Sequence, residues 1–244
     1  MYTLGGTLLL HKYTPMIRQV LVFLLLITAA CTRPAQVPPK KHPDSKGAGW
    51  ENLFKPDLSD AAFAAGVWTV ENGVLTASED KPIWSAREFD NFMVDLEFKT
   101  APGTNSGVFV YCTDQKDFVP NSVEVQIADD YAEQWANSPK SWQCGAIFGR
   151  KPATKSNVKK PGEWNRYTIT CLDNMIYVLL NGEQVNQIDM KEWTSPTTNP
   201  DGTKIPEWLS KPLAQMTTRG YIGFQGKHAG APIYFRNIRV KSLK

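Results

Sequence analysis

Apolar and polar residues alternate with period two along most of this chain. Phe92, Val94, Leu96 and Phe98 take turns with Met93, Asp95, Glu97 and Lys99, the pattern of a half-buried strand. The same reading predicts strands at residues 107–112, 122–128, 166–172 and 175–180, the last running through Asn181-Gly182 into 184–188. Two more, at 219–225 and 232–240, close the chain. Residues 68–71 and 74–77 flank Asn72-Gly73, a pair that supplies the positive φ angles of a two-residue hairpin turn. Helical signals are weak. One turn is predicted within 205–213, beside a Pro-, Thr- and Asn-rich insertion at 194–204, and another within 129–138. Many short strands with no βαβ alternation predict an all-β, two-sheet antiparallel sandwich.

The N-terminus carries a different pattern. Val20 to Ile27 is an unbroken apolar run, preceded by Arg18 and followed by Thr28-Ala29-Ala30-Cys31. It is too short for a spanning helix, which needs about 20 apolar residues, and has the layout of a secretory signal. Small residues directly before Cys31 resemble a lipobox, so residues 1–30 are read as a signal peptide and Cys31 as the lipidated first residue. Met16 is an alternative start that gives the signal ordinary proportions. Neither an adjacent Asp nor an acidic run follows the cysteine, which favours an outer-membrane lipoprotein with its domain facing the periplasm. Contact with the membrane is expected through the anchor only. Residues 31–48 hold Pro34, Pro38, Pro39 and Pro43 with hardly any apolar side chains, the composition of an extended tether. The folded domain is then 49–244.

A domain of that length buries roughly 70% of its unfolded surface and needs no staples. Cys112, Cys144 and Cys171 lack zinc-site spacing, and whether two of them pair is left open by the sequence. The net charge of +3 comes partly from the signal and tether, without a basic cluster on the domain, so nucleic acid is not an indicated partner. The chain has three histidines, and only His228 falls in the domain, so a multi-histidine zinc site is excluded. There is no Gly-x-Ser-x-Gly elbow and no glycine-rich phosphate loop.

Within 122–128, Val123, Val125 and Ile127 share a core-facing side. Glu124 and Gln126 share the other, about 7 Å apart along the strand. An acid beside an amide on one strand face suits hydrogen bonding to sugar hydroxyls, although plain surface polarity gives the same pattern. Laminarinase-type sandwich glucanases carry three alternating acids on such a strand. Here only Glu124 is acidic, so the usual two-carboxylate hydrolysis is not supported unless Asp129 or a distant acid completes a pair. The chain has eight Trp, eight Tyr and eleven Phe. Trp68 and Trp164 sit in strand patterns and read as structural. Trp135, Trp142 and Trp193 sit in loops and are candidates for stacking on a sugar ring.

Seven segments in order carry a resemblance: Asn105-Ser-Gly-Val-Phe109, Glu124-Val-Gln-Ile127, Gly145-Ala-Ile-Phe148, Pro161-Gly-Glu-Trp-Asn165, Leu180-Asn-Gly-Glu183, Gly220-Tyr-Ile-Gly-Phe-Gln225 and Phe235-Arg-Asn-Ile238. Over residues 50–243 the chain resembles the 3-keto-disaccharide hydrolase domain family, whose fold is a concanavalin A-like jelly roll. Many members carry Arg where this chain has Tyr111, and a tighter Gln-x-His-Gly where it has Gln225-Gly-Lys-His228. The resemblance implies a glycoside oxidised to a ketone at C3. A base removes the acidified C2 proton, the enolate expels the group at C1, and water adds later. That route needs one base and a stabilised enolate.

His228 lies in a glycine-flanked loop, where functional groups are favoured, and a neutral imidazole suits proton removal near pH 7. A solvated loop histidine is the bland alternative. A single divalent metal held with Glu124 is a further one, though two ligands make a thin site. The expected catalytic residues are therefore Glu124 and His228, and the expected substrate contacts Asn105, Tyr111, Gln126, Asp129, Gln225 and Lys227. The competing function is a non-catalytic carbohydrate-binding lipoprotein.

Overall fold

Period-two alternation can bury only one face of each strand, so two sheets must pack their apolar faces together. The structure is a computed structural model that describes residues 1–2 and 38–243. The signal segment, Cys31 and the first part of the tether lie outside the described residues. Every strand falls in the unit Val37–Lys244. In chain order the strands are β1 (Glu51–Asn52), β2 (Ala62–Phe63), β3 (Trp68–Glu71), β4 (Val74–Ala77), β5 (Ile83–Phe89), β6 (Phe92–Thr100), β7 (Asn105–Cys112), β8 (Val123–Ala128), β9 (Trp164–Leu172), β10 (Met175–Leu180), β11 (Glu183–Asp189), β12 (Gly220–Phe224) and β13 (Ile233–Ser242). One sheet runs β11-β10-β9-β6-β13-β4-β3, with β1 also on β13, and the other runs β2-β5-β12-β7-β8. All pairings are antiparallel. The molecule is the expected two-sheet jelly-roll sandwich.

The core lies between the sheets. Phe92, Val94, Leu96 and Phe98 of β6 are fully buried and face Val108, Val125, Ile127, Ile222 and Phe224 of the second sheet within one apolar cluster. Asn72 and Asn181 have φ of 52° and 51° and turn the two expected hairpins. The helical content is a four-residue turn, α1 (Glu133–Ala136), and short 3-10 turns such as Glu207–Leu209.

Two local features depart from simple alternation. On β7 one extra residue separates Phe109 from Cys112 relative to their partners Gly223 and Tyr221, and Tyr111 has φ 57°. This bulge turns Val110 and Tyr111 inward together and returns Cys112 to the outer face beside Trp84 and Phe109. Strand β5 was not expected from the sequence, because its burial does not alternate: Ile83, Trp84 and Ser85 are all buried. His42, within the expected tether, is held by Thr168 Oγ1 on Nδ1 (2.8 Å) and by the Gly182 N–H on Nε2 (2.7 Å).

Candidate functional site

The outer face of the second sheet carries the polar residues that alternation left over. Asn105, Gly107 and Phe109 of β7 lie opposite Ala128, Gln126 and Glu124 of β8. Gly107 is required here by space: a Cβ would stand 2.1 Å from Glu124 Oε1, so its absence is what lets the carboxyl lie across β7. Glu124 is only partly open to solvent. Burial, with a smaller contribution from the negative charge of Asp80, pushes its carboxyl up to about 8. Beside it, Gln126 is buried and its amide N–H donates to Asn105 Oδ1 (2.8 Å). The side-chain oxygens of Gln126 and Gln225 are buried and find no partner among the described residues. An unsatisfied buried acceptor costs about 1–3 kcal/mol, so a bound hydroxyl would be favourable at either.

Loops wall this face into a cleft of about 800 Å³, within the range that holds a small organic ligand. Residues 145–148 run along the free edge of β8, with the Gly145 N–H donating to the Gln126 carbonyl and the Phe148 N–H to the Glu124 carbonyl. Trp142 stacks near Phe148 (centroids 5.5 Å) and Trp208 (6.1 Å). Trp135 is fixed by its Nε1–H donating to the Gly103 carbonyl (2.9 Å). Trp208 stands on the 3-10 turn Glu207–Leu209. That turn is clamped from behind by Arg150, whose guanidinium donates to the carbonyls of Leu209 and Lys211. Burial without an acidic partner lowers the Arg150 guanidinium to about 10.

His228 lines the cleft at its rim, half exposed, with Nδ1 2.6 Å from Asp80 Oδ2. A carboxylate can only accept, so in the neutral imidazole this contact selects the tautomer with the hydrogen on Nδ1 and the lone pair on Nε2. One cleft thus holds a carboxyl with a raised pKa and an imidazole oriented by a second carboxylate, a pairing suited to acid–base work.

Asn105, Glu124, Gln126, Gln225 and His228 therefore come together, as do Trp135 and Trp142. The other expected contacts do not. Tyr111 is fully buried between the sheets, edge-on to Phe92 at 5.9 Å, because the β7 bulge turns it inward. Asp129 is spent on backbone, accepting from the N–H groups of Gly103 in the β6–β7 turn (2.8 Å) and Tyr131 in its own loop (3.2 Å). Lys227 is outside the cleft lining, its N–H donating to the Glu79 carbonyl (3.2 Å). Trp193 is buried, with Nε1 donating to Asn199 Oδ1 (3.0 Å). The face of Glu124 and Gln126 is the walled floor of a cleft, not open surface. Sequence reasoning missed Asp80 and Trp208, and also Phe118, which packs on Phe109 at 5.0 Å. Phe109 lines the cleft as well, and its place two residues after Gly107 on the same strand face is the one local signal that points to it.

Among the described residues no three His, Cys, Asp or Glu side chains gather as a metal's donor set. Glu124 and His228 therefore supply two candidate donors in this cleft, with no third His, Cys, Asp or Glu completing a donor set among the described residues, too few for a protein-built metal site. Cys112, Cys144 and Cys171 are buried free thiols.

Comparison with known proteins extends this picture. The family model of the 3-keto-alpha-glucoside-1,2-lyase-like domain matches residues 44–241. A 3-keto-disaccharide hydrolase of Bacteroides thetaiotaomicron is 26% identical over 205 residues, spanning 72% of this chain and 70% of that protein. A crystal structure from Parabacteroides distasonis ATCC 8503, provisionally named a glycosyl hydrolase, is 52% identical, covers 80% of this chain and 99% of its own, and superposes with a TM-score of 0.78. A second from the same organism, provisionally named likewise, shares the fold at 21% identity and a TM-score of 0.67, covering 83% of this chain and 98% of its own.

Proposed function

The chain belongs to the 3-keto-alpha-glucoside-1,2-lyase-like domain family, and from that premise we propose that it is a carbohydrate-cleaving enzyme acting on glycosides already oxidised to a ketone at C3. The observation that carries this reading is the pairing in one cleft of Glu124, raised to about 8, with the Asp80-oriented His228. Near neutral pH such a carboxyl holds its proton and can give it to the departing C1 oxygen. The free Nε2 of His228 takes the C2 proton. The ketone makes this removal feasible, since the electron pair left at C2 passes to the C3 oxygen as an enolate. The amide groups of Asn105 and Gln225 are placed to hydrogen-bond the sugar while the C1–O bond breaks. Water then adds at C1 and a proton at C2, which gives the 3-keto sugar. Ordinary hydrolysis by two carboxylates draws less support, because Glu124 stands alone on its strand and Asp80 is occupied by His228.

The domain is further proposed to ride on a lipid anchor at Cys31, on the periplasmic side of the outer membrane. Two acyl chains hold such an anchor where one does not. Turnover of a panel of native and 3-oxidised disaccharides tests the enzymatic reading. Cleavage restricted to the oxidised sugars supports it. Binding without cleavage favours a carbohydrate-binding module, and cleavage of native glucans an ordinary glycosidase.

A further inference from the structure

Trp142 and Trp208 line two cavities. On one side is the cleft of Glu124 and His228. On the other a second hollow of about 560 Å³ lies among residues 139–142, Arg150, Pro152 and residues 201–208. The two indoles, inclined at 61° to each other, form the shared wall, and Trp208 remains 53% exposed. We propose that this hollow is a subsite for sugar units beyond the disaccharide, so that the preferred substrate is a 3-keto-oligosaccharide. The inference rests on the preceding reading only for where cleavage occurs.

Three observations support a neutral saccharide as occupant. The hollow adjoins the first cleft, sharing Trp142 and Trp208 with it, and that cleft alone is large enough for a disaccharide-sized ligand. Its lining alternates ring and proline faces (Pro139, Pro152, Pro206) with hydroxyl and carboxyl groups (Ser141, Thr203, Asp201). Apolar planes edged by donors and acceptors match a pyranose. Its charged groups are of both signs and nearly balanced. Lys204 pairs with Glu207 at 3.4 Å, while Lys140, Asp201 and Arg150 have hydrogen-bond partners but no ion-pair partner among the described residues, and one guanidinium nitrogen of Arg150 is buried without a partner. Three cations against two carboxylates give the lining no strong charge of one sign to select an ionic ligand.

Titration calorimetry with unoxidised glucose oligosaccharides of two and four units, which the proposed reaction does not consume, tests the subsite. The expected result is a Kd about tenfold lower for the tetramer than for the dimer. Trp208→Ala should abolish that difference. Lys204→Ala/Glu207→Ala, at positions exposed enough to leave folding intact, should weaken the tetramer about threefold and the dimer less. Equal affinity at both lengths, no binding of either, or a tenfold difference that survives in both variants overturns the subsite. The two readings fail separately. Length-independent binding with intact turnover of a 3-keto-disaccharide removes the subsite alone, and length-dependent binding without turnover removes the cleavage reaction alone.

Discussion

A carboxyl that titrates near 8 is a proton donor at neutral pH, and this makes Glu124 the residue on which the chemistry turns. Glu124→Gln should lower kcat by about 10²- to 10⁴-fold, the usual contribution of a positioned acid or base, with substrate binding largely kept. For wild type, activity should fall as pH rises through about 8, where the proton is lost. Stability carries the same sign. The folded pKa lies above the unfolded value, so the native state binds the extra proton and stability declines as pH rises from about 4.5 to 8. Glu124→Gln should flatten that slope in denaturant titrations; an unchanged slope would contradict the raised pKa. His228→Ala should cost about 10²-fold or more in kcat, and Asp80→Asn, acting through the imidazole's orientation, about 10- to 100-fold. If His228→Ala retains full turnover, the imidazole is a solvated bystander. At this scale Glu124, Gln126 and His228 were legible, because alternation and the scarcity of histidine single them out. Asp80 was not, since it lies 148 residues before its partner. Tyr111 misled because one inserted residue reverses its face.

Elements decide how those residues are held. Gly107 is the gap in β7 that Glu124 fills, so Gly107→Ala should displace the carboxyl, lowering kcat at least tenfold while changing stability by about 1–3 kcal/mol through overpacking. Wild-type activity in a folded Gly107→Ala protein would show that the Glu124 position is not critical. Arg150 is the element-scale counterpart on the far wall. Arg150→Met keeps the stem but drops the clamp on Leu209 and Lys211, so KM should rise more than kcat falls as Trp208 loosens. Strands with clean alternation were readable to within a residue or two. Strand β5 was not, because consecutive buried residues erase the period. The segment just after the Pro- and Thr-rich insertion, carrying Trp208 and Ser210, is a wall of the cleft, a role set by the long-range clamp of Arg150 that no local pattern encodes.

At the scale of the molecule, the two-sheet architecture was legible because every long strand shows which face it buries. The walls were not, since which loop covers which sheet face depends on topology. Attachment is a separate question: Cys31→Ser should release the protein from membrane fractions or leave its signal uncut, and membrane-bound protein of unchanged mobility would argue against the anchor. The central claim is removal of the C2 proton, and hydrogen isotopes report it directly. With a 3-keto-glycoside deuterated at C2, in ordinary water, the account predicts slower cleavage than for the unlabelled compound and a product in which the label is exchanged for solvent hydrogen. Cleavage at an equal rate, with deuterium retained at C2, would contradict it.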